Sequence, residues 1–114
     1  SKAGLDEMLE VLKNDKFMPR LCVLKTFGKI PSLGHLSFPL KGTTLAMDFP
    51  INIQKNKNLY SKLDEIVIKN GGRIYPAKDS FMNSKTFQSS YKNFHKFKKF
   101  KDTHISSDFW ERVS

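Results

Sequence analysis

Tyr75 and Lys78 stand close together in the segment Gly71-Gly72-Arg73-Ile74-Tyr75-Pro76-Ala77-Lys78-Asp79-Ser80. Gly71-Gly72 suits a sharp turn, and a strand from Arg73 to Ala77 would set Arg73, Tyr75 and Ala77 on one face. A phenol and an ammonium converging where that strand ends suit an anionic ring system or a developing negative charge. The same two residues also fit a tyrosine and a lysine snorkelling at a strand end, their stems packed and their polar tips in water.

Other constellations carry less chemistry. The chain has no phosphate-cradling GxxxxGK[ST] and no GxGxxG following a strand. His35, His95 and His104 fall in three different segments without close ligand spacing, which argues against a zinc site, and no other metal set is expected. Cys22 is the single cysteine, so an internal disulfide framework and a multi-cysteine metal site are excluded. Its neighbours Leu21 and Val23 lead us to expect an inert buried thiol.

The net charge of +9, from 20 Lys and Arg against 11 Asp and Glu, invites an anionic partner. The run from Phe87 to Lys101 supports that most, because aromatic rings between lysines can stack on bases while phosphates are neutralised. A small basic nucleic-acid-binding module using residues 87–101 is therefore the alternative function. Against it, Phe87, Tyr91 and Phe94 keep helical spacing, as a packing face does. The run also lacks arginine and any RNP-like Gly-Phe pattern, so packing beneath a solvated basic face is the preferred reading and nucleic acid is not an expected partner.

The elements that must position these groups can be read from periodicity. The 114 residues, 39% apolar and 27% charged, suit one globular domain. Leu5, Met8, Leu9 and Leu12 predict an amphipathic helix of about three turns. Arg20 to Phe27 and Thr43 to Phe49 read as strands, joined by a Gly- and Pro-rich loop from Gly28 to Gly42 and so expected to be antiparallel. Leu59, Leu63, Ile66 and Val67 predict a second helix between Asn58 and Asn70, stopped by Gly71-Gly72. Arg73 to Ala77 follows as a third strand, parallel to its predecessor through a right-handed crossover, and Ser84 to Lys92 as a further helix. The fold expected is α+β, a small mainly antiparallel sheet with helices packed on it, in the order α-β-β-α-β-α with a helical C-terminal tail. No run approaches the ~20 apolar residues that span a bilayer. Ser1-Lys2-Ala3-Gly4 has neither a starting Met nor an apolar signal core, so we expect a cut piece of a longer protein, cytoplasmic or membrane-peripheral.

Four blocks then occur in a familiar order: Val23-Leu24-Lys25-Thr26-Phe27-Gly28, Leu36-Ser37-Phe38-Pro39, Gly42 with Leu45-Ala46-Met47-Asp48-Phe49-Pro50, and Gly71 through Ser80. Together they resemble the C-terminal part of the FAD-linked oxidases akin to decaprenylphosphoryl-β-D-ribose 2-oxidase, related to aldonolactone oxidases within the vanillyl-alcohol-oxidase superfamily. The likeness runs from about Leu21 to Trp110. It implies that residues 1–114 form a single domain, the substrate or cap region of a flavoenzyme whose N-terminal FAD-binding domain lies outside this chain. It implies FAD and a small hydroxylated substrate, a sugar or related polyol, as partners, with oxidation of an alcohol carbon by hydride transfer to the flavin. On that pattern Lys78 faces the pyrimidine edge of the flavin with Tyr75 beside it, as catalytic and cofactor-binding residues. Lys25, Thr44 and Ala46 line the substrate cavity. The relatives often carry a polar amide and a cysteine where this chain has Thr44 and Ala46, so sugar specificity does not transfer. This piece alone is expected to be inactive and to hold FAD weakly, since nothing in it resembles a pyrophosphate site.

Overall fold

The computed structural model describes residues 2–77 and 79–114. Its elements are α1 (Lys2–Asp15), β1 (Leu21–Phe27), β2 (Gly42–Asp48), α2 (Ile53–Lys69), α3 (Ser84–Ser90), α4 (Phe94–Lys98) and α5 (Asp108–Val113). The architecture is α+β, with a two-stranded antiparallel sheet and a helical C-terminal end.

Helix α1 turns Met8, Val11 and Leu12 inward, while Leu9, expected on the same stripe, remains 47% exposed. The helix stops where Lys16 adopts φ 60, a left-handed conformation that cannot propagate a right-handed helix. Helix α2 begins earlier than its apolar spacing suggests. The Asn52 side chain caps it by accepting from the Lys55 amide at 3.1 Å, and the Asn52 amide donates to Asn56 Oδ1 at 2.6 Å. These bonds satisfy donors that a bare helix start would leave open, and they explain how the polar Asn56 is buried.

The far end of α2 closes as Gly71-Gly72 predicts. The Gly71 amide donates to Ile68 O at 2.9 Å and the Gly72 amide to Val67 O at 2.8 Å, with Gly71 at φ 70. This is the Schellman arrangement, which favours glycine at its left-handed position, and here the next residue is crowded as well. Gly71 supplies the left-handed turn. At Gly72 an added Cβ would lie 2.8 Å from Val67 Cγ1.

The expected third strand is corrected. Residues 73–77 pair with no strand among the described residues, and no parallel crossover forms. The backbone of Ile74 is bonded to side chains of α3 and its cap instead: its amide donates to Ser90 Oγ at 3.3 Å and its carbonyl accepts from Tyr91 Oη at 2.8 Å. The Ile74 amide and carbonyl are thereby taken up by side chains and do not join a ladder.

Two apolar clusters hold the helices together. One gathers Leu12, Leu59 and Leu63 with Phe17, Met47, Phe49 and Tyr60 around them. The other gathers Met82, Phe87, Tyr91, Phe94 and Val113, flanked by Leu36, Ile74, Phe109 and Trp110. Phe87 is the hub of the second, with ring centroids 5.0 Å from Tyr91, 5.8 Å from Phe94 and 5.4 Å from Phe109. The rings at 87, 91 and 94 are therefore core, as their helical spacing predicts, and are closed to bases.

The two strands of the hairpin stand largely apart from these clusters. Met47 is their link to the first, and most of β1 is open to solvent. Cys22 is accordingly exposed, not buried: its sequence neighbours are apolar, but a two-stranded sheet has no third layer over them. The radius of gyration, 14.8 Å, exceeds the roughly 13 Å of a compact chain this long, in keeping with a projecting hairpin.

Candidate active-site face

β1 and β2 pair in the register Val23 opposite Ala46, Lys25 opposite Thr44 and Phe27 opposite Gly42. Directly opposed residues share a face, as do residues two apart along a strand. Lys25, Thr44 and Ala46 therefore lie on one face of the hairpin, with Val23 and Phe27 between and beyond them. Lys25 and Ala46 are exposed and Thr44 is half-buried. The face presents an ammonium and a hydroxyl side by side on an apolar floor.

Tyr75 reaches the end of this face through one ring. Phe38 lies 6.1 Å from Phe27 edge-on and 5.0 Å from Tyr75. The order Phe27, Phe38, Tyr75 is thus a continuous aromatic row starting two residues from Lys25. Tyr75 itself is 57% exposed, with its phenol free to meet a ligand laid against the row.

Three residues fix that row, and sequence reasoning assigned none of them. Arg73 Nη1 donates to Ser37 O at 2.7 Å and to Pro39 O at 3.4 Å, gripping the loop on both sides of Phe38. Its guanidinium also lies over the Tyr91 ring, 5.9 Å from the centroid. Tyr91 and Ser90 hold the Ile74 backbone from either side, which sets where Tyr75 leaves the core. Burial pushes the Tyr91 phenol up to about 12, with the Tyr75 charge adding to the effect and Arg73 opposing it. The hydroxyl thus stays a donor throughout the physiological range. The spacing from Arg73 to Tyr91 gave no sign of these bonds, because they join a loop to a helix end.

Lys78 lies outside the described residues. Its neighbour Asp79 is well anchored: the carboxylate accepts from the Phe81 amide at 3.3 Å and the Met82 amide at 2.8 Å. Arg112 of α5 donates to the Asp79 carbonyl at 3.0 Å and to Met82 O at 2.9 Å, so the turn after Tyr75 is tied to the C-terminal helix. Behind it, burial raises Asp64 to about 6, helped by the Asp79 charge and opposed by a hydrogen bond with Thr86.

What the face can hold follows from these groups. The exposed Tyr75 ring, backed by the half-buried Phe38 and Phe27, can lie against a flat heterocycle, and Lys25 with Thr44 can meet hydroxyl or anionic groups. The sequence holds neither a GxxxxGK[ST] nor a GxGxxG turn of the kind that cradles a pyrophosphate. Surface recesses lined by Ser106, Ser107, Asp108, Glu111 and Arg112, and by Val11, Asn14, Asp15 and Lys62, involve none of its residues. Among the described residues no group of three His, Cys, Asp or Glu side chains could hold a metal, and no helix is long and apolar enough to cross a membrane.

No protein-family profile matches the chain. Among curated proteins it is similar to the decaprenylphosphoryl-beta-D-ribose oxidase of Mycolicibacterium smegmatis, 39% identical over 71 residues that make up 62% of this chain and 15% of that protein. It is also similar to an uncharacterized protein in the mprA 5′ region of Streptomyces coelicolor, 36% identical over 69 residues, or 60% of this chain and 18% of that protein. The matched stretch therefore spans under a fifth of the length of either relative.

Proposed function

We propose that this chain is the substrate-lining C-terminal part of an FAD-linked oxidoreductase that oxidises an alcohol carbon of a sugar or related polyol. The observation that carries the reading is the shared face: Lys25, Thr44 and Ala46, far from Tyr75 in sequence, lie on a hairpin face that Phe38 joins to Tyr75. Similarity over 71 residues to a protein named as an oxidase supports the same class.

In this reading the chain supplies one wall of the site. Lys25 and Thr44 bind and orient substrate hydroxyls by charge-assisted and neutral hydrogen bonds, and Ala46 leaves room beside them. Tyr75 and Lys78 stand at the ring edge of the flavin, which when bound supplies the two-electron acceptor. The Lys78 ammonium offsets negative charge at that edge and the Tyr75 phenol donates a hydrogen bond there. Arg73 and Tyr91 keep the wall in place. The pyrophosphate and adenine are held by the domain outside this chain.

The test is the longer natural protein. Purified from cells, it is expected to be yellow, with the absorbance of bound flavin that bleaches when an oxidisable sugar alcohol is added without oxygen. A colourless protein that neither retains nor takes up FAD would overturn the proposal.

A further inference from the structure

A second surface stands independently of the flavin reading. From Ser80 to Lys101 the chain contains no carboxylate, and Lys92, Lys96, Lys98 and Lys99 are all exposed. The run's other rings are spent: Phe94 is 2% exposed, and Phe97 packs on Trp110 at 5.6 Å. Phe100, by contrast, is 78% exposed at the end of α4. One neighbour does touch it, since the His35 ring stacks on it at 6.0 Å. That contact brings the tip of the 28–41 loop to the same edge, and there Leu33, two residues before His35, is 99% exposed.

From this geometry we infer that the edge formed by Phe100 and Leu33, with the lysines of α4 and its flanks, docks on an anionic lipid surface. An aromatic and an aliphatic tip held clear of the protein, beside exposed lysines that outnumber the nearby Asp102 carboxylate, match what an interface of acyl chains and anionic headgroups requires. The charge says anionic. The tips say lipid, because an aliphatic tip cannot stack on a base, and this part of the run keeps a single largely exposed ring where single-stranded nucleic acid is gripped by several.

The experiment uses the full 114-residue chain and vesicles of phosphatidylcholine alone or mixed with phosphatidylglycerol. Cosedimentation is expected with the mixed vesicles, falling as salt is raised, and not with the neutral ones. Lys96→Glu and Lys99→Glu should each weaken it by about fivefold or more. Phe100→Ser and Leu33→Ser should each weaken it by about tenfold. The Leu33 side chain is almost wholly in solvent, so that variant tests the tip without touching the core. Equal partition onto neutral vesicles, no loss in both serine variants, or no vesicle binding with salt-sensitive binding of single-stranded RNA would overturn the proposal.

Discussion

Asp64→Asn should stabilise the protein above neutral pH and leave it unchanged in acid. Asp64 lies on α2, half-buried, with a hydrogen bond to Thr86 of α3 and the Asp79 charge nearby. Burial first, and then Asp79, lift its pKa from 3.8 to about 6. A carboxyl whose folded value is raised binds its proton more tightly when folded than unfolded. Its contribution is thus fully present below about 3.8 and is lost as pH rises through about 6. At 1.36 kcal/mol per pH unit the gap sets a ceiling of about 3 kcal/mol. Water reaches part of the carboxyl, and screening reduces this to about 1–2 kcal/mol. Asparagine keeps the size and the partner for Thr86 while removing the charge. Urea unfolding of both proteins at about pH 8 should show the variant more stable by that amount, with a midpoint higher by roughly 0.5–1 M. At about pH 3, below the unfolded value of 3.8, the two curves should coincide. Equal stabilities at the alkaline pH, or a constant difference at both, would show that Asp64 is not held in a charge-disfavouring environment.

The clamp on Ile74 and the turn before it give further expectations. Tyr91→Phe keeps the ring and deletes the hydroxyl on the Ile74 carbonyl, so thermal or urea unfolding should show a loss of about 1–3 kcal/mol. Gly72→Ala should cost more than Gly71→Ala in the same assay, because the new methyl meets Val67 atoms at 2.8 and 3.1 Å, whereas Gly71→Ala carries about 1 kcal/mol for its left-handed backbone. Calorimetric titration of FAD into the 114-residue chain should show no tight binding, and sub-micromolar affinity would contradict the placing of the pyrophosphate site elsewhere.

Much of the helical frame was legible because its signals are local. The stripe Leu59, Leu63 and Ile66 and the stop at Gly71-Gly72 define α2, and Phe87, Tyr91 and Phe94 declare a packing face through spacing alone. The start of α2 was also written locally, in Asn52, but the buried Asn56 interrupts the apolar pattern and hides that first turn. The third strand failed for a different reason. Arg73 to Ala77 has strand composition, yet whether such a segment pairs depends on a free neighbouring edge, and here Ser90 and Tyr91 claim the Ile74 backbone. Cys22 misled in the same way, since a thiol between Leu21 and Val23 is buried only where another layer covers it.

For the candidate site, the facing of Lys25 and Thr44 followed from two antiparallel strands, though the register itself rests on the loop between them. The loop's part was not legible. Phe38 bridges Phe27 to Tyr75 only because Arg73 bonds the carbonyls on either side of it, a contact across 36 residues of chain.

The flavin-facing wall proposed for this chain places Lys78 at the ring edge. It is tested most directly by the rate at which the bound flavin of the longer protein is reduced without oxygen, compared with that of its Lys78→Met variant. Reduction should be slowed by an order of magnitude or more, with thermal stability and the amount of flavin bound nearly unchanged. Identical reduction rates in the two proteins would contradict that placement of Lys78.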